Sequence, residues 1–252
     1  YDQTIHPLAL KAKEILDKRK VKQWLSYRRG KELTFLDVGC GNGRYLKMLQ
    51  ALGYDRDKLY GVELSQQQVD RLNQEGYRAF YGRIEEVSQR LPQQSFDLIV
   101  ILQVLEHVDN PAAVVSTLAQ LLRPGGLLII ETPNTESLDL SLFKEKYWGG
   151  YHFPRHWNLF NCDNLNLMVE ASGLKRRAVN FLPAHTFWIF SFHHLFVDRW
   201  HNKFLADLFD PFKNIFLLSV FTGFDIVRAK LGFKTSNVQF IAERPSESRA
   251  SP

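Results

Sequence analysis

The sequence predicts an α/β fold on a mostly parallel sheet, and three observations carry that prediction. Short apolar runs alternate with helix-like amphipathic segments, the pattern of βαβ units. One run, Phe96 to Leu102, is apolar almost throughout, as a strand covered on both faces should be. A glycine loop lies where the first run passes into a helix. The chain has 252 residues, enough for one domain with a decoration and a core that needs no staples. Hydrophobic residues make up 45% and charged residues 23%, which excludes collagen, coiled coil and wholesale disorder.

In chain order, Pro7 to Tyr27 reads as an amphipathic helix through Leu8, Ile15, Leu16, Trp24 and Leu25. Strands follow at Leu33 to Val38, Leu59 to Leu64, Tyr77 to Tyr81 and Phe96 to Leu102. Between them lie a helix through Tyr45, Leu46, Met48, Leu49 and Leu52 and another from Gln66 to Gln74. Pro111 suits the first turn of a helix to Leu122, Arg123-Pro-Gly-Gly126 breaks it, and Leu127 to Glu131 is a fifth strand. A helix from about Asp163 to Ser172 stops at Gly173, and a strand runs to Phe181. Residues 184–232 read as two or three aromatic helices, Val238 to Ala242 as the last strand, and Ser246 to Pro252 as a disordered tail.

The expected division is therefore an N-terminal helix (1–32), a nucleoside-binding sheet domain (33–181), a helical insertion or lid (182–234), the last strand (235–245) and the tail (246–252). Composition supports the break. Of 33 aromatic residues, 20 fall between Phe143 and Phe224, and six of eight histidines fall between His152 and His201.

Two cysteines, Cys40 and Cys162, cannot build a disulfide framework or a four-thiolate zinc site. The chain begins at Tyr1, no signal peptide is visible, and a cytoplasmic, reducing location is expected. A net charge of +5 is mild and argues against nucleic acid as the partner. Lys18, Arg19, Lys20 and Lys22 read as a solvated helix face, with weak contact to an anionic surface as the alternative.

The strongest local signal is Leu36-Asp37-Val38-Gly39-Cys40-Gly41-Asn42-Gly43. Glycines there tolerate positive φ and let a ligand approach the backbone. Glu63 ends the second strand, where an acid accepts hydrogen bonds from ribose hydroxyls. A dinucleotide fingerprint would read G-x-G-x-x-G; this loop reads G-x-G-x-G. Asp37 would repel a diphosphate and attract an ammonium. The loop thus favours a nucleoside carrying an amino acid, over NAD, FAD or an unloaded tight turn.

At these residues the sequence resembles the class I S-adenosylmethionine-dependent methyltransferases, in the broad subgroup that includes the ubiquinone-biosynthesis O-methyltransferases. Leu36–Gly43, Gly61–Leu64, Phe96–Pro111 and Leu121–Pro133 carry the resemblance, which covers about residues 33–181 and the final strand. It implies a Rossmann-like seven-stranded, mostly parallel sheet with an antiparallel last strand, here preceded by an aromatic helical insertion. It also implies S-adenosylmethionine as cofactor and S-adenosylhomocysteine as product. Asp37 would hold the methionyl amine or a water, Gly39, Cys40, Gly41 and Gly43 would line the loop, and Glu63 and Leu64 would take ribose and adenine. The family usually has an acid near the adenine amine after the third strand. Here stands Gly82-Arg83-Ile84-Glu85, so that contact falls to the Ile84 backbone and Glu85.

The fourth strand ends in Gln103-Val104-Leu105-Glu106-His107. Part of the family reads Glu-x-x-Glu-His there and holds a divalent metal. Gln103 is a weaker ligand for a hard cation. No tightly held metal is therefore expected, and Gln103 is assigned to the methionine part of the cofactor. His107 has two readings: proton acceptor for a hydroxyl nucleophile, or a hydrogen-bonded support of the loop with Glu106 as partner. The segment Tyr147 to Trp157 reads as too polar for core. It adds His152 and His156 as candidate bases and Arg155 as an acceptor contact; in the alternative, His156 caps the next helix. Zinc on His152, His156 and Cys162 matches no usual spacing.

The aromatic stretch has three readings: a core extension, a lid over a bulky or lipid-like acceptor, or peripheral membrane contact. The functional expectation is methyl transfer to a small or lipid-linked metabolite, on oxygen for preference. A non-catalytic cofactor-binding module and a nucleic-acid methyltransferase are the rivals.

Overall fold

The structure is a computed structural model that describes residues 7–28, 32–144, 146–152, 154–210 and 214–246. The expected disordered tail, beyond Ser246, lies outside the described residues. The first helix, α1 (Pro7–Ser26), leads into β1 (Phe35–Val38), α2 (Arg44–Ala51), β2 (Leu59–Glu63), α3 (Gln66–Gln74), β3 (Arg78–Tyr81), a short α4 (Ile84–Val87) and β4 (Phe96–Leu102). Then come α5 (Pro111–Leu121), β5 (Leu122–Pro133), α6 (Leu138–Phe143), α7 (Cys162–Ala171) and β6 (Lys175–Leu182). The helices α8 (His185–His194), α9 (Lys203–Leu208) and α10 (Ile215–Lys230) precede β7 (Asn237–Glu243). Helix starts follow local chemistry: the side chains of Ser65, Asn110 and Asn161 each accept an N–H of the first turn of α3, α5 and α7.

The seven strands form one sheet in the order β3-β2-β1-β4-β5-β7-β6. All neighbours are parallel except at β7, which runs antiparallel to both β5 and β6. The order reverses between β1 and β4, so a crevice opens beyond their carboxyl ends. Side chains alternate between two cores. Leu36 and Val38 of β1 and Ile99 and Ile101 of β4 face α4, α5 and α7; Phe35, Leu98 and Val100 face α1, α2 and α3. This double coverage is why β4 reads as an unbroken apolar run.

Two expectations change. Arg123-Pro-Gly-Gly126 does not separate helix from strand: it lies inside β5, because Leu122 already pairs with Phe96 and Gly125 donates its N–H to Arg244 O at 2.8 Å. The ladder takes up the extra residues as a shift between Phe96 and Leu98. The start of the 147–157 segment is also not too polar for core. Tyr147 and Trp148 are buried with Phe143 and Trp188 in a third, aromatic cluster, and Trp148 Nε1 donates to the buried Asp139 at 2.6 Å.

Helix α1 docks across the carboxyl edge of the sheet. Lys20 Nζ lies 2.8 and 2.9 Å from the two Glu131 oxygens at the end of β5. Asp17, buried, pairs with Arg44 at 2.7 Å and accepts from Tyr45 Oη at 3.0 Å. Trp24, fully buried, packs 5.1 Å from the Tyr45 ring. Lys18, Arg19 and Lys22 are exposed as expected, but Lys20 is a buried-edge anchor rather than part of a solvated face. Trp24→Ala should therefore cost about 3–5 kcal/mol, the range for a large buried aromatic, in urea unfolding. A loss below about 1 kcal/mol would show that α1 is only loosely attached.

Candidate active site

The loop after β1 owes its shape to three left-handed glycines, with φ of +77° at Gly39, +53° at Gly41 and +74° at Gly43. A Cβ on Gly39 would sit 2.4 Å from Val104 Cγ2, so the loop presses against the turn after β4. At Gly41 nothing lies within 4 Å, which leaves the backbone open to a ligand. The loop amides are largely spoken for. Gly39 and Cys40 donate to Val62 O at 2.8 and 3.1 Å, and Gly41 donates to Glu63 Oε2 at 2.8 Å. The other Glu63 oxygen accepts from the amides of Leu64 and Ser65 at 2.8 and 3.1 Å.

Asp37 is the next-to-last residue of β1, with its carboxyl buried. Burial pushes it up to about 7; the Arg44 guanidinium opposes that rise and Glu63 reinforces it. A buried carboxyl of this kind is a site for an incoming cation. Leu64 and Tyr81, at the ends of β2 and β3, stay 64% and 51% exposed, an apolar rim where an aromatic base would rest. Open glycine backbone, a buried acid and this rim together fit a nucleoside with a cationic tail.

Other predicted residues fall differently. The Cys40 side chain turns into the core: a Cβ on Gly61 would lie 2.6 Å from its sulfur, and burial pushes the thiol up. Its part in the loop is backbone only. Ile84 is buried at the first turn of α4, where the amides have no helical acceptor, while the Glu85 side chain is exposed. Arg83 points away to Asp109, at 2.6 Å. Gln103, held at φ +55°, donates Nε2 to Asn237 Oδ1 at 2.9 Å, and Asn237 donates to Glu131 at 2.9 Å. Lys20, Glu131, Asn237 and Gln103 thus form a polar chain along the crevice. It was missed in the sequence because its members lie on four separate elements.

The three candidate histidines do converge. The ring centroids of His107 and His156 are 4.8 Å apart, and those of His152 and His156 are 5.1 Å apart. His107 Nδ1 faces Arg155 O at 2.8 Å and His156 Nδ1 faces Gly150 O at 2.7 Å. A ring nitrogen facing a carbonyl carries a proton, so in the neutral form of each ring the lone pair is at Nε2. Burial pulls His156 down to about 4, and burial also lowers His152. Both rings are therefore neutral at pH 7. His156 does not cap α7, since Asn161 does. His107 binds the Arg155 carbonyl, not Glu106, and so also ties the 152–157 loop to the end of β4.

Glu106 is the residue whose placement the sequence did not reveal. It is fully buried, accepts from Thr132 Oγ1 at 3.3 Å, and its Oε1 has no partner. Burial pushes its carboxyl up to about 8. One ligand atom each from Glu106, His107 and His156 lie within 4.8 Å of one another. An orphaned oxygen on a carboxyl that must give up its proton to a cation, with two imidazole nitrogens beside it, fits a divalent ion. The expectation of no metal rested on Gln103, which takes no part in this set.

Comparison with known proteins identifies the family. A ubiquinone biosynthesis O-methyltransferase of Bradyrhizobium sp. is 25% identical over 158 residues, covering 56% of this chain and 61% of its own. One from Idiomarina loihiensis is 31% identical over 156 residues, covering 58% and 63%. The chain thus matches less than two thirds of the length of these relatives. A crystal structure of a SAM dependent methyltransferase from Archaeoglobus fulgidus shares the fold, with a TM-score of 0.58 and 18% identity over 90% of this chain and 93% of that one. Residues 9–179, spanning the glycine loop, Glu63 and all three histidines, match the methyltransferase-domain family, and the chain belongs to it.

Proposed function

We propose that the protein transfers a methyl group from S-adenosylmethionine to the oxygen of a small or lipid-linked hydroxylated metabolite. The observation that carries this reading is the meeting of two sites in one crevice. A nucleoside-and-ammonium cradle (Asp37, Gly41, Glu63) lies at the ends of β1 and β2, and a cluster of imidazole lone pairs lies at the end of β4. The curated relatives, whose names specify O-methylation in ubiquinone biosynthesis, support oxygen as the atom.

The chemistry asks for little. The donor is a cation with a neutral leaving group, so the chain must align acceptor oxygen, methyl and sulfur. Positioning of this kind supplies on the order of 7–11 kcal/mol. Asp37, ionised, holds the donor's ammonium, and Glu63 is placed to exchange its amide partners for the ribose hydroxyls. His107 takes the acceptor's proton at Nε2, with its Nδ1 proton steadied by Arg155 O. The neutral rings of His152 and His156 keep positive charge from building up beside the donor sulfonium. A divalent ion on Glu106, His107 and His156 would acidify the hydroxyl by Lewis-acid chemistry instead.

His107→Ala should lower methyl transfer about 10²–10⁴-fold, the worth of a general base, while calorimetry finds adenosylhomocysteine affinity unchanged. Binding without transfer in the wild type would instead favour a non-catalytic module. Full activity in EDTA is expected if His107 alone takes the proton; loss in EDTA restored by a divalent salt assigns the step to the ion.

Cofactor binding should also depend on pH. The ammonium prefers ionised Asp37, so binding releases a proton below the folded pKa of about 7. Affinity for adenosylhomocysteine should rise from about pH 5.5 and level off near about 8. Asp37→Asn should flatten that slope and weaken binding about tenfold or more at the upper end, the worth of a charge-assisted hydrogen bond.

A further inference from the structure

The polar chain along the crevice has a direction, and its charged end sets it. Lys20 Nζ can only donate, and it reaches both Glu131 oxygens at 2.8 and 2.9 Å. The Glu131 carboxylate can only accept, so the buried Asn237 turns Nδ2 to it at 2.9 Å. Asn237 Oδ1 then faces Gln103, which must donate Nε2, at 2.9 Å. Gln103 Oε1 is left over, and among the described residues none donates to it. Turning either amide round would set oxygen against oxygen. One ion pair therefore fixes the orientation of two neutral amides.

The backbone holds the free end of the chain in place. Gln103 sits at φ +55°, which residues other than glycine rarely adopt, and its N–H donates to Glu131 O at 2.7 Å. Its main chain and its side chain are thus both tied to Glu131, the side chain through Asn237. Val38 of β1 lies level with Ile101 of β4, so Gln103 stands two residues beyond that level, beside the glycine loop. The next residue, Val104, is the one a Cβ on Gly39 would strike. Gln103 is half-buried. An amide oxygen held there, partly screened from water, favours a cation over a neutral ligand of the same shape.

On the reading of the crevice as an S-adenosylmethionine site, we propose that Gln103 Oε1 recognises the positive charge at the donor's sulfur. Asn237, Glu131 and Lys20 are positioning residues that keep this oxygen, and not the amide nitrogen, turned to the ligand. S-adenosylmethionine and S-adenosylhomocysteine share the ammonium, the ribose and the adenine. They differ at the sulfur by one methyl and one charge. The oxygen therefore tells donor from product.

Calorimetry with each ligand alone tests this without turnover, at about pH 8, where Asp37 is ionised for both. Gln103→Met, close in size but without the amide, should shift the ratio of the two affinities about tenfold against S-adenosylmethionine, the lower end for a contact to a charged group. Its affinity for S-adenosylhomocysteine should stay within about twofold of the wild type. Asn237→Ala, which changes no charge, should move the same ratio the same way by about threefold or more. So should Lys20→Met with Glu131→Gln, which leaves the net charge unaltered and removes the fixed direction. A merely structural tie between β4 and β7 would weaken both ligands alike and leave the ratio as it is. A wild type that binds neither ligand overturns the cofactor reading, and this proposal with it. Binding of both with an unchanged ratio in Gln103→Met overturns this proposal alone. A shift in Gln103→Met that neither of the other two variants reproduces overturns the part assigned to the chain.

Discussion

The Glu63 carboxylate is the tie on which the crevice depends. One oxygen holds the Gly41 amide and the other holds the amides that begin the turn into α3. The ends of β1 and β2 are thereby fastened at one distance, with Asp37 enclosed beside them. An acid in this place serves twice. It replaces solvent for three backbone donors, and those donors keep the loop open at Gly41. Removing the carboxylate would thus disturb loop geometry and ribose recognition together, and the two effects would be hard to separate in a single variant.

The crevice is closed from one side by α1, through two ion pairs in which a buried acid meets a base that still reaches solvent. Asp17 with Arg44 and Lys20 with Glu131 each place an ion pair at the sheet's carboxyl edge. Such pairs add little net stability, because solvent at the base screens the attraction and burial of the acid offsets much of the rest. Their effect is positional: they fix which turn of α1 covers which strand. Arg44 also stands beside Asp37, so α1 influences the buried acid through a shared neighbour.

Much of this was legible in the sequence. Alternation of strand and helix, the continuous run from Phe96 to Leu102 and the glycine loop all express local rules, and β4 and α3 fall where the pattern put them. The charge of Asp37 beside three glycines pointed to a cationic ligand without any coordinates. Three-dimensional convergence was not legible. His156 and Glu106 are 50 residues apart in the chain and meet only because the loop after α6 folds back, with the Trp157 and Asn158 amides donating to Glu106 O. Likewise Lys20 reads as one more lysine on a basic helix until β5 places an acid beneath it. The Arg123-Pro-Gly-Gly126 turn misled for a related reason: breakers stop a helix locally, but an edge partner such as Arg244 can still hold them extended.

Gly149 has a consequence for how this protein can change. Its missing Cβ lets the chain lie against α8; an added methyl would fall 2.5 Å from Phe187 O and 2.7 Å from Phe190 Cβ. The histidine-bearing segment and the helices after β6 are therefore fitted to each other by contact. Swapping those helices for the counterpart from a relative, to alter acceptor preference, would need to carry Tyr147 to Trp157 along as one cassette.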